Sequence, residues 1–153
     1  MPIDTSKVAV IYCSVHHKNT KKLIDAIAEK YPDILLLDAA SVVLKDLQRY
    51  ELIGVASGIF YGKMHRSVLK FLEDNLPEHK KSFVIYTSGA SKDDYGKDAE
   101  AIIAKKKCTL LGKYSCRGHD TFGPFALVGG LNKKHPDSSE IDGAVKFFEE
   151  MIK

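Results

Sequence analysis

Apolar positions along the chain switch between two spacings: short unbroken runs, and a recurrence at every third or fourth residue. Residues 7–13 (KVAVIYC) are a β-branched apolar run, as expected of a strand covered on both faces. From Asn19 the spacing changes. Leu23, Ile24, Ile27, Ala28 and Tyr31 predict a helix with one apolar stripe, stopped at Pro32-Asp33. Residues 34–37 and 51–57 (ELIGVAS) predict a second and a third strand, and 65–75 a helix that turns Val68, Leu69, Phe71 and Leu72 inward. A fourth strand is expected at 82–88, a helix at about 95–106, a fifth strand at 108–116 and a last helix from about 137 to 152. Buried strands alternating with helices predict an α/β fold built of parallel β-α units, with helices on both faces of the sheet. Residues 39–50 carry only a weak pattern, and 118–136 form an extended irregular stretch. No internal repeat or linker divides the chain, so one domain over 1–153 is expected.

Composition narrows the function classes. Of 153 residues, 44% are hydrophobic and 28% charged, which is ordinary for a globular domain. A balance of 23 basic to 20 acidic residues is too even to suggest nucleic-acid binding. No apolar run approaches the ~20 residues of a membrane span. The opening MPIDTSK lacks the pattern of a signal peptide. The expectation is a cytoplasmic protein without membrane association. Cys13, Cys108 and Cys116 form no CxxC pair and no metal-ligand spacing with histidine, so free, largely buried thiols are expected.

Parallel sheets bind ligands beyond the carboxyl ends of their strands, which directs attention to the loops after Cys13, Ser57, Ser88 and Cys116, three of which hold unusual residues. The first is Ser14-Val15-His16-His17-Lys18-Asn19-Thr20, leading straight into a helix. Two hydroxyls, an amide and the free N–H groups of a helix start make a cradle for an anion. Lys18, Lys21 and Lys22 surround that helix start against the macrodipole, a conflict that a bound anion would remove. A simple helix cap by Ser14 or Asn19 would need only one such residue. The loop holds no glycine, so it is neither a Walker A nor a GxGxxG motif, and it favours a phosphate monoester over a dinucleotide. Adjacent His16 and His17 lack the further ligands of a metal site and fit better as phosphate neighbours. The second loop, Ser57-Gly58-Ile59-Phe60-Tyr61-Gly62, brackets an apolar, aromatic tip with glycines. It can stack on a flat ring, or its apolar residues can fold back into the core. The third, Thr87-Ser88-Gly89, is small and polar and suits the edge of a heterocycle.

A phosphate cradle, an aromatic loop and a small polar loop, in that order, suggest a nucleotide-like ligand with a flat ring. IYCSVHHKNTKKLIDAIAEK resembles the flavodoxin signature, a strand, a phosphate loop and an Asn-Thr pair opening a helix; SGIFYGKMHRSVLKFLE and YSCRGHDTFGPFALVGGLNKKHP resemble further parts of short bacterial flavodoxins with an HHxNT loop. The resemblance implies a three-layer flavodoxin-like fold with a five-stranded parallel sheet of order 2-1-3-4-5. It implies one FMN, with Ser14, His16, His17, Lys18, Asn19 and Thr20 around its phosphate. Ser57, Gly58, Ile59, Phe60, Tyr61 and Gly62 would lie along the isoalloxazine, and Thr87, Ser88 and Gly89 would close its other side. The implied role is a low-potential one-electron carrier between redox partner proteins, a reductase or ferredoxin-type donor and an acceptor enzyme, acting as a monomer and without catalytic residues of its own. The alternative is a flavodoxin-fold NAD(P)H-dependent FMN or quinone reductase. Two features depart from the family pattern: Lys18 stands where such loops more often carry glycine, and the mildly basic balance differs from the acidic character of familiar flavodoxins.

Overall fold

The computed structural model describes residues 2–13, 19–41, 46–60, 63–88, 95–117 and 136–153. A 3-10 turn, Thr5–Lys7, leads into β1 (Val8–Cys13). It is followed by α1 (Asn19–Lys30), β2 (Leu35–Asp38), β3 (Leu52–Phe60), β4 (Lys63–Met64), α2 (Arg66–Asn75), β5 (Lys81–Ser88), α3 (Lys97–Lys105), β6 (Thr109–Arg117) and α4 (Ser138–Met151). The parallel strands lie in the order β2-β1-β3-β5-β6, while β4 pairs antiparallel with β3 alone. With β4 set aside, this is the expected order 2-1-3-4-5.

Each central strand buries both faces, so its sequence shows a continuous apolar run rather than alternation. On β1, Ala9, Ile11 and Cys13 join the core shared with α2 and α3, and Val8 and Val10 join the core shared with α1 and α4. The second core closes tightly. A Cβ on Gly54 would come within 2.2 Å of the Phe83 ring, so glycine is needed for this close approach. Phe83 is fully buried and meets Phe147 and Phe148 edge-on, at 5.9 and 6.0 Å between centroids.

Three details differ from the sequence pattern. The third strand does not end at Ser57 but runs on through Gly58, Ile59 and Phe60, which are strand rather than loop. The extension is held by β4, with Ile59 opposite Met64 and Phe60 opposite Lys63; Met64 is 2% exposed and anchors the return. Residues 39–50 contribute Leu47 and Tyr50 to the core despite their weak pattern. In β6, Leu111 is an extra residue between the pairs Ser82–Leu110 and Phe83–Gly112, and this bulge turns an exposed leucine outward on an edge strand.

Candidate functional site

The strand registers bring the ends of four strands into line. Cys13 of β1 lies beside Ser57 of β3, Ser57 beside Tyr86 of β5, and Thr87 between Gly58 and Cys116 of β6. Among the described residues the buried polar side chains are Asn19, Thr20, Ser57, Ser82, Thr87 and Ser88, and all but Ser82 sit at this carboxyl edge. Buried polar groups cost free energy unless bonded, so such a concentration needs partners.

Two of the hydroxyls meet each other. Thr20 Oγ1 and Thr87 Oγ1 are 2.9 Å apart, joining the first turn of α1 to the end of β5. The Thr87 side chain is thereby turned toward α1, on the face opposite α2. Ser57 serves the hairpin instead: its Oγ accepts the His65 N–H at 2.9 Å and donates to the Gly58 carbonyl at 2.6 Å. Both ends of the segment from Gly58 to His65 are thus tied to one fully buried hydroxyl. His65 then caps α2, its Nδ1 accepting the Ser67 N–H at 3.1 Å with the Ser67 hydroxyl 2.8 Å away. A nitrogen that accepts an N–H carries no hydrogen, so the imidazole hydrogen resides on Nε2.

The local charges are arranged more finely than composition suggests. Lys21 pairs with Asp25 at 2.9 Å and lies 5.9 Å from the Tyr12 ring centroid, so its charge is neutralised within α1. The hydrogen bond to Asp25 raises its pKa. No acidic residue stands in the first turn of α1, where the helix N–H groups open toward the strand ends. Burial pushes the Cys13 thiol up, opposed in part by a hydrogen bond with the Ser67 side chain. Burial, with Glu140 and Asp137 nearby, pushes the Cys116 thiol up to about 12. Both thiols remain neutral near pH 7.

Of the residues singled out by sequence, Asn19, Thr20, Ser57, Gly58, Ile59, Thr87 and Ser88 converge on this edge, and the backbone of Phe60 continues β3. Ser14, His16, His17, Lys18, Tyr61, Gly62 and Gly89 lie outside the described residues, as does the stretch 118–135. The Thr20–Thr87 bond and the His65–Ser67 cap were not foreseen. The Asp137–Glu140 capping box that starts α4 was legible in principle as Asp-x-x-Glu before an apolar run. Among the described residues no group of three metal-ligating side chains occurs, and no helix is long and apolar enough to cross a membrane.

Residues 9–130 match the family model described as the flavodoxin domain. An uncharacterized protein of Methanocaldococcus jannaschii is 37% identical over 150 residues, covering 96% of this chain and 99% of that protein. Among solved structures, a Streptococcus pneumoniae flavodoxin superposes with a TM-score of 0.68 at 17% identity, covering 94% of this chain and 97% of its own. Rubredoxin oxygen:oxidoreductase of Desulfovibrio gigas superposes with a TM-score of 0.67 at 15% identity, covering 99% of this chain and 36% of its own. By its family match, together with the order of its strands, this chain belongs to the flavodoxin domain family.

Proposed function

We propose that the protein holds one FMN at the carboxyl edge of its sheet and carries electrons singly between redox proteins, a reductase or ferredoxin-type donor and an acceptor enzyme. The observation that carries this reading is the cluster of buried hydroxyls there, centred on the Thr20–Thr87 pair at the opening of α1. It fits a phosphate ester. Helix N–H groups and a threonine hydroxyl donate, no carboxylate stands in the first turn of α1, and strand ends beyond it can flank a ring.

When bound, FMN supplies the redox chemistry, and the chain supplies binding and electrostatics. Asn19 and Thr20 position the phosphate end. Ser57 ties the ends of the segment from Gly58 to His65, which in sequence includes the Tyr61 and Gly62 proposed for the ring. Cys13 and Cys116 at the strand ends are kept neutral by burial and would add no negative charge to that edge. A carrier of this kind requires no nucleophile or general acid from the chain.

Steady-state assays with NADH and NADPH, with and without quinones, separate the two. A carrier gives turnover far below roughly 1 s⁻¹, the lower end of ordinary enzyme rates. Faster turnover would identify a flavodoxin-fold reductase instead.

A further inference from the structure

Thr20 is fully buried and Thr87 is 3% exposed, and they come from segments 67 residues apart. A hydroxyl donates one hydrogen. Two hydroxyls bonded to each other use one of their two hydrogens, and the second has no acceptor among the described residues. Solvent does not reach it, and an undonated buried hydroxyl is costly. Among the described residues one donor is therefore held in reserve, where the first turn of α1 presents its own N–H groups.

The direction of the bond decides what that donor can do. If Thr20 donated to Thr87, it would present only lone pairs at the helix start and repel an anion. If Thr87 donates to Thr20, the Thr20 hydrogen is released toward the anion, and accepting a hydrogen bond polarises that hydroxyl as a donor. We propose, on the FMN reading above, that Thr87 is a positioning residue for the phosphate: its O–H donates to Thr20 Oγ1 and so commits Thr20 to donate to the anion. Thr87 thereby serves the phosphate end of the ligand, although its place in the sequence assigns it to the ring.

The test titrates apo-protein with FMN and with riboflavin for the wild type, Thr87→Val, Thr87→Ser, Thr20→Val and the double valine variant. Thr20→Val weakens FMN about ten- to a hundredfold, as expected for a bond to a charged group. Thr87→Val weakens FMN about two- to tenfold, in line with one neutral hydrogen bond, and changes riboflavin less than twofold. Thr87→Ser restores FMN affinity, and Thr87→Val has no further effect once Thr20 is valine. Equal losses for both ligands, or an undiminished Thr87 effect in the Thr20→Val background, would overturn the proposal while leaving FMN binding intact. A second measurement needs no flavin. Inorganic phosphate added to the ¹⁵N-labelled apo-protein shifts the Thr87 amide in the wild type and not in Thr20→Val. If that shift occurs in a chain that takes up no FMN, the FMN reading fails and the hydroxyl pair keeps its role. If inorganic phosphate leaves the wild-type Thr87 amide unmoved, the proposal falls.

Discussion

The two ends of the sheet solve the same problem, closing off helices and strands, by different means. At the amino edge the charges are matched. Lys30 and Lys105, in the last turns of α1 and α3, favour the helix macrodipoles and also meet Glu149 at 2.7 Å and Glu73 at 3.4 Å. Backbone strain is accepted there to finish the turns. His79 and Lys107 take φ of 63° and 58°, and the His79 N–H reaches the Lys106 carbonyl at 3.2 Å. Even the Cys108 thiol is used, accepting the Lys80 N–H and donating to the Pro77 carbonyl. At the carboxyl edge the pattern is mixed. Arg66 opens α2 against its macrodipole, and the buried threonine pair, on the proposed reading, keeps a hydrogen to donate. This edge is finished in part, with His65 capping α2, the Asp137–Glu140 box capping α4 and Asp98 and Glu100 in the first turn of α3. The first turn of α1 has no acidic residue.

The sharpest contrast between the edges is in thiol chemistry. With its pKa pushed up to about 12, Cys116 is about one part in ten thousand thiolate at pH 8, some three powers of ten below an ordinary cysteine. Cys13 is also raised and is 2% exposed, whereas Cys108 is only partly buried. Titrating the native protein with a thiol-specific reagent should label Cys108 first, with Cys13 and Cys116 reacting only on unfolding. Rapid labelling of Cys116 would mean that the carboxyl edge is open to water.

Damage to the scaffold should separate from damage to the site. Phe83→Ala removes a fully buried ring four residues before Thr87 and should cost about 3–5 kcal/mol in urea unfolding. The preference for FMN over riboflavin should persist in the protein that remains folded. A lost preference would show that the hydroxyl cluster depends on core packing and is not a separate layer of the design.

The smallest effect is expected at the amino edge itself. Lys30, donating a hydrogen bond, holds the Glu149 carboxyl below its usual range, and the Tyr31 hydroxyl adds to this. A depressed carboxyl contributes its stability in full above the unfolded-state pKa and loses it as pH falls through the folded value. The pair is exposed, so Glu149→Gln should shift the urea midpoint barely measurably at neutral pH, and should flatten the acid side of the stability profile. A large neutral-pH loss would make the α1–α4 clamp a major element of the fold.

Much of this architecture was legible because burial on both faces writes itself as apolar runs. The start of α1 at Asn19 and the inward stripe of Val68, Phe71 and Leu72 follow from spacing alone. The extension of β3 to Phe60 did not, because a two-residue partner strand such as Lys63–Met64 is too short to show a period. Leu47 and Tyr50 escaped for a similar reason, since isolated core contacts in an irregular segment have no repeat. At the site, residue types pointed to Thr20 and Thr87 separately. Their bond could not be read, because it depends on α1 crossing β3 to reach β5, a matter of topology and not of local sequence.

The most direct test of the central claim is to reconstitute the purified chain with mixed flavins, release the bound cofactor by heat and identify it by chromatography. The account expects FMN, close to one per chain, because on the proposed reading the opening of α1 takes one phosphate ester. FAD in its place, or no flavin retained after reconstitution, would contradict it.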